Sequence, residues 1–204
     1  MKKFFHLFIF MVSPLLSPAQ TGKTHRLHVA VFNAGNAMPF SNFGKLVTGP
    51  YHPGIELGGG FAWSTKKRHD WFQDFNLSYF YHRFVQHAIP LNTEFGYRYK
   101  FPKIFSLHSA VGAGYMHAVP ATGVYKLSDD GRYSNAKGIG RPQANATFAV
   151  GLGIDANKTS RRHLRIFVDY KERLQFPFVK SYVPLLPYNN ILVGISVSHH
   201  HHQQ

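Results

Sequence analysis

Eight ionisable side chains recur inside segments whose intervening residues are apolar. Glu56, Asp74, Glu94 and Asp169 supply carboxylates, and Arg98, Arg165, Lys171 and Arg173 supply cations. Set against one another in a confined space, such groups can relay protons or neutralise each other as an ion-pair network. Unpaired ions in such a space would cost several kcal/mol each, so mutual pairing is the favoured arrangement. The chain also carries 14 histidines, of which His52, His82, His87 and His117 fall near the ends of ordered segments. Imidazole is a common metal ligand. However, there is no cysteine and no HExxH motif, and no histidine pair four residues apart, so no metal site and no cofactor is assigned. A nucleophile would need a Ser, a His and an acid on one side of the chain. Leu107-His108-Ser109 puts His and Ser on opposite faces of a strand, and Ser78 and His82 share a face that reads as inward. No catalytic residue is assigned. Gly58-Gly59-Gly60 and Gly151-Leu152-Gly153 open no helix, which excludes nucleotide binding through them.

The elements that carry these groups are strands, because the apolar period is two. Leu164, Ile166, Val168 and Tyr170 fall on one face, and Arg165, Phe167, Asp169 and Lys171 on the other. Phe95, Tyr97, Tyr99 and Phe101 oppose Glu94, Arg98 and Lys100 in the same way. The same pattern predicts eight strands, near 25–33, 54–65, 70–83, 89–101, 104–117, 142–156, 162–174 and 188–198. The polar face also holds His28, Asn76, His82, His108, Gln143, Asn145 and Asp155. A soluble sandwich would bury an apolar face, whereas here the apolar face must look outward and the charged face inward. Connections alternate between short, basic turns (Lys66, Lys67, Arg68, Lys103, Lys158, Arg161, Arg162) and longer loops. That is the arrangement of transmembrane barrels with short periplasmic turns and longer external loops. Trp63, Trp71, Phe101 and Phe105 gather by the short turns and Tyr79, Tyr81, Tyr115 and Tyr188 by the long loops, as two aromatic girdles. The fold expected is all-β: a single antiparallel up-and-down transmembrane barrel of about eight strands, with an apolar lipid-facing exterior and a polar interior.

The chain start fits export. Lys2 and Lys3 precede an apolar run from Phe4 to Leu16, and Ser17-Pro18-Ala19 supplies small residues for cleavage. The domains expected are therefore a secretory signal peptide over 1–19, a barrel over 20–198 and a His/Gln tail over 199–204. Aromatics are 16% of the chain and charged residues only 16%, below the roughly 25% usual for soluble domains, which again favours a membrane barrel. The net charge is +14, or +12 once the two leader lysines are removed. An exported chain does not meet nucleic acid. The anions it would meet are the phosphates of lipopolysaccharide and of acidic phospholipid.

With these features together, the chain resembles the small eight-stranded outer-membrane barrels of the outer-membrane protein A and X type. Tyr81-His82-Arg83-Phe84-Val85-Gln86-His87-Ala88-Ile89-Pro90-Leu91 and Phe176-Pro177-Phe178-Val179-Lys180-Ser181-Tyr182-Val183-Pro184 are similar to segments of uncharacterised barrels of the Bacteroidota. The resemblance implies a fold and a place in the cell outer membrane of a Gram-negative organism, and no activity. One departure is the end of the last strand, Val197-Ser198, which runs into His199 to His202 instead of closing on an aromatic residue.

The segment Leu174 to Asn190 is apolar where an exposed loop should be polar, which marks a lid or a docking surface. The binding residues expected are Phe84, Val85, Phe176, Phe178, Tyr182, Val183 and Leu185, on two hairpins read as neighbours forming one platform. The function expected is that of a non-enzymatic structural or accessory subunit. Its external loops would dock another envelope protein or lipopolysaccharide. A lipid-modifying hydrolase of the lipid A deacylase kind is the alternative, and after it a narrow channel or metal-binding barrel. Export makes a direct prediction: N-terminal sequencing of the mature protein should begin at or beside Gln20, and recovery of an intact Met1 would overturn the leader assignment.

Overall fold

The computed structural model describes residues 24–41, 43–102, 104–123, 125–135, 138–156, 162–178 and 184–199. The expected leader (1–19) and the tail beyond His199 lie outside them, as do Lys103, Lys158 and Arg161 of the basic turns and Tyr182 and Val183 of the apolar loop.

Eight long strands form the wall: β1 (His25–Gly35), β2 (Pro53–Thr65), β3 (His69–His82), β4 (Gln86–Lys100), β5 (Phe105–Pro120), β8 (Arg141–Asp155), β9 (Arg162–Phe176) and β10 (Leu186–His199). Between β1 and β2 runs a short helix, α1 (Phe43–Thr48), and between β5 and β8 a small hairpin, β6 (Tyr125–Leu127) with β7 (Tyr133–Asn135). The wall is a closed antiparallel barrel in the order β1-β10-β9-β8-β5-β4-β3-β2, and β2 pairs back onto β1. Closure pairs every wall strand on both sides, so no edge is left open. The register of the β2–β3 ladder shifts once, between Ala62 and Ser64.

Alternation along each strand sorts the side chains. Leu27, Val31, Leu57, Leu77, Val111, Leu152 and Val193 are exposed on the outer wall, whereas Glu56, Asp74, Glu94, Arg165, Asp169 and Lys171 are buried inside. This is the polarity of a barrel surrounded by hydrocarbon and the reverse of a soluble one. Two glycines make room for the inner ions. A Cβ at Gly58 would lie 2.2 Å from the His28 ring, and one at Gly151 would lie 1.8 Å from the Asp169 carboxylate.

Three expectations need correction. Strands β9 and β10 run further than the sequence suggests, so the apolar external loop is 177–185 and not 174–190. Tyr188 belongs to no girdle: it is even in register with the inward Asn190 and Leu192, and it is fully buried. The hairpins carrying Phe84 and Phe178 are not neighbours. Strands β5 and β8 separate them on one side of the mouth, and β1 and β2 on the other.

Candidate functional site

Two regions carry the polar chemistry of this barrel, its lumen and its outer rim. In the lumen the ions stack in tiers. Near the short turns, Asp70 lies 2.8 Å from the Lys100 ammonium and 3.9 Å from the Arg98 guanidinium. Arg26 pairs with Asp74, and its guanidinium lies 4.2 Å from the centre of the Phe72 ring. Arg26 and Asp70 are members of the network that the sequence pattern did not single out, and they supply the partners of Asp74 and Arg98.

Above them, Arg165 donates to Nδ1 of His108 at 2.8 Å, which leaves the Nε2–H of His108 to meet Asp169 at 3.1 Å. In the next tier the Lys171 ammonium sits between Glu56 (2.8 Å) and Glu94 (3.0 Å). Both carboxylates accept further donors: Ser78 to Glu56 at 2.8 Å and Thr147 to Glu94 at 3.1 Å. Arg173, 1% exposed, lies 3.8 Å from the second oxygen of Glu56. A buried ion pair is tolerable only when extra hydrogen bonds satisfy what the partner ion leaves over; Ser78 and Thr147 do this for Glu56 and Glu94, whereas Nε and Nη1 of Arg173 find no partner among the described residues.

The long-loop end is sealed differently. Phe32, Phe80, Met116 and Leu192 form an apolar layer with Tyr188. Against it, Gln86 donates to Gln175 at 2.6 Å and to the Tyr188 hydroxyl at 3.0 Å. Gln175 donates in turn to Gln143, and Gln143 donates to the Pro177 carbonyl at 2.8 Å. Within the ion tiers, a cavity of about 40 Å³ is bordered by Arg26, Glu56, Asp74, Arg165 and Lys171. That is room for a few waters and not for a permeating solute.

At the rim, Phe84 is exposed, and the Arg83 guanidinium lies 5.4 Å from its ring centre. Val85 is half-buried, and its carbonyl accepts from Ala121 N at 3.1 Å, which ties this hairpin to the β5–β8 connection. Across the mouth, Phe178 is half-buried under Arg141 at 6.0 Å, Phe178 N donates to the Pro184 carbonyl at 3.1 Å, and Phe176 and Leu185 are exposed. Between the two hairpins stands β6–β7, where Tyr125, Leu127 and Tyr133 share one exposed face. Sequence reasoning missed this surface because strands of three residues are too short to show a period.

The residues considered for nucleophilic chemistry are engaged elsewhere. Ser78 donates to Glu56, and the His82 ring stacks on His52 at 3.7 Å, with 6° between the planes. Burial holds His52 below the ordinary histidine value, so it stays neutral in that stack. On the outer wall, the Tyr79 hydroxyl is 2.9 Å from His87 and the Tyr115 hydroxyl is 2.9 Å from His117.

No protein-family model matches this sequence, and neither does any curated protein. Among solved structures, the chain is similar to Neisserial surface protein A, at 9% identity and a TM-score of 0.49 over 87% of this chain and 99% of that one. It is similar also to Ail, the attachment invasion locus protein of Yersinia pestis, at 12% identity and a TM-score of 0.47 over 88% and 99%. The outer membrane enzyme PagL aligns at 12% identity and a TM-score of 0.44 over 83% and 97%. The fold of this chain stands on its own strand order and register.

The tier at Lys171 yields a test. Lys171→Met leaves Glu56 and Glu94 facing each other without their shared cation, which should cost about 3–5 kcal/mol. Urea unfolding in detergent micelles, followed by the fluorescence of Trp63 and Trp71, reads that loss. Adding Glu56→Gln to Lys171→Met should recover part of it, and equal stability of all three proteins would show the network to be idle.

Proposed function

We propose that this chain is a non-enzymatic barrel of the cell outer membrane that serves as a structural or accessory subunit. Its external loops would dock another envelope protein or lipopolysaccharide. The observation that carries this reading is the filled lumen. Tiers of paired ions below and a glutamine–tyrosine layer above leave cavities of only about 40 and 50 Å³ among the described lumen residues, which supports a barrel whose work falls to its surfaces. The rim supports that assignment, because Phe84, Leu185, Tyr125, Leu127 and Tyr133 stand exposed where water alone would favour polar residues. The placement rests on the apolar exterior, on the aromatics beside both ends and on the leader-like first residues. Arg83, Arg132 and Arg141 accompany the apolar groups at the rim, and cations there suit phosphate-bearing partners.

Orientation is tested with single cysteines, since the chain has none of its own. Gly131→Cys should react with an impermeant maleimide on intact cells, and Lys67→Cys should react only after lysis. The opposite pattern would invert the barrel. Docking is tested by two rim variants, one with Phe178, Tyr182 and Leu185 changed to Ser and the other with Tyr125, Leu127 and Tyr133 changed to Ser. Both should retain heat-modifiable migration on a gel, and at least one should lose a partner that co-purifies with the parent protein. If both fold and keep every partner, the docking reading is wrong.

A further inference from the structure

The short-turn end of the barrel gathers positive charge around the β2–β3 turn, where Lys66, Lys67 and Arg68 are all exposed. Backbone hydrogen bonds tie this turn to the end of β4: Lys66 N donates to the His69 carbonyl and Lys100 N to the Arg68 carbonyl, each at 2.8 Å. The Lys100 ammonium donates to the Lys66 carbonyl at 3.4 Å. Asp70, the nearest acid along the chain, is already held by Lys100 and Arg98. Among the described residues no carboxylate pairs with Lys66, Lys67 or Arg68. Beside the turn lies a hollow of about 540 Å³, bordered by Lys67, Arg68, Lys100, Phe101, Pro102 and His163, with no acid among these residues.

The outer wall next to this turn is aromatic. Trp71 and Tyr97 are partners in the β3–β4 ladder, and the Trp71 ring lies 5.0 Å from that of Tyr97 and 5.5 Å from that of Phe95. The Tyr99 ring lies 4.9 Å from that of Phe101, and the Tyr97 hydroxyl meets Nδ1 of His69. Trp71, Phe95 and Phe101 are exposed. Amphipathic rings of this kind settle at the level of lipid head groups. Arg68 stands within roughly 10 Å of Trp71 along the chain, at about 3.3 Å per residue, so the turn's cations lie at the depth of the phosphates.

We infer that the β2–β3 turn and the hollow beside it form a binding site for an acidic phospholipid, whose phosphate meets Lys67 and Arg68 and whose acyl chains run along the wall at Phe101, Tyr97 and Trp71. A zwitterionic phospholipid carries its own cation beside the phosphate and leaves the charge of the turn unanswered. A lipid of net negative charge neutralises it. Phe101 borders the hollow and also belongs to the aromatic wall, so head group and chains follow one continuous surface. The site rests on the membrane placement proposed above and lies at the end opposite the docking loops.

Trp63 and Trp71 are the chain's two tryptophans, and both are exposed on the wall beside this turn, so a lipid brominated near the head-group end of its acyl chains reports its presence there by quenching them. The purified barrel is folded into phosphatidylcholine vesicles that contain either brominated phosphatidylglycerol or brominated phosphatidylcholine at the same mole fraction. Phosphatidylglycerol should associate at least about threefold more strongly, since each cation at a charged surface contributes up to about fivefold. The preference should weaken as salt is raised. Changing Lys66, Lys67 and Arg68 together to Gln keeps the backbone hydrogen bonds of the turn, and the variant, folded by heat-modifiable migration, should treat the two lipids alike. Equal quenching of the parent protein by both lipids at low salt would overturn the inference. So would a preference that high salt leaves unchanged, or a folded variant that keeps the parent's preference. Quenching by neither lipid would refute the placement of this wall in the membrane, and the site with it.

Discussion

Lys171 places an ammonium 2.8 Å from Glu56 and 3.0 Å from Glu94 in the middle of the lumen, and this pairing is what lets the strands turn their polar face inward. An eight-stranded barrel is just wide enough for side chains to fill. Each inner ion is therefore stripped of most of its water and must find its counter-charge on another strand. Lys171 comes from β9, Glu56 from β2 and Glu94 from β4, so the pairing bridges three separate parts of the wall. The glycines follow from it. Gly58 and Gly151 lie inside the barrel where a side chain would collide with His28 or Asp169, the groups that extend the network.

The same pairing explains how well the strands could be read from the residues. A wall with one apolar and one charged face produces alternation with few exceptions, and the eight strands with their facing follow from that period alone. The ends were harder. Arg26 lies at the first turn of the pattern, where too few residues precede it to set a phase. Asp70 follows Lys66, Lys67, Arg68 and His69 and looks like part of a charged turn. Each is buried and paired all the same. Tyr188 misled in the opposite way. An aromatic beside an apolar loop suggests a girdle, but its register with Leu192 sends it inward, where it meets Gln86.

The connections were the least legible, since nothing in them repeats. The helix α1 has no period of its own to announce it and is placed by what it covers. Leu46 is buried over Gly35, where a Cβ would come within 2.7 Å of it. Asn33 donates to the Leu46 carbonyl at 2.7 Å and accepts from His52 N at 2.7 Å. These contacts fall where the first strand meets the last. No covalent turn joins the strands at that seam, so the first connection braces it besides joining β1 to β2.

The seam also bears on where function can reside. Chemistry inside the barrel is spent on holding it together: the Ser78 hydroxyl serves Glu56, His108 lies between Arg165 and Asp169, and the glutamines close the mouth. Groups that are spent this way are poor candidates for turnover, because moving one of them unpairs an ion that has no water to replace its partner. The rim is free of that constraint. Its loops are fastened at their bases by Asn33, Gln143 and Val85, while Phe84, Tyr125, Leu127, Tyr133 and Leu185 remain exposed. A closed wall braced by ion pairs thus carries those exposed residues on a rigid base. A preset surface loses less conformational freedom on binding than a mobile one, which is the physical advantage that a barrel of this kind would give the proposed docking surface.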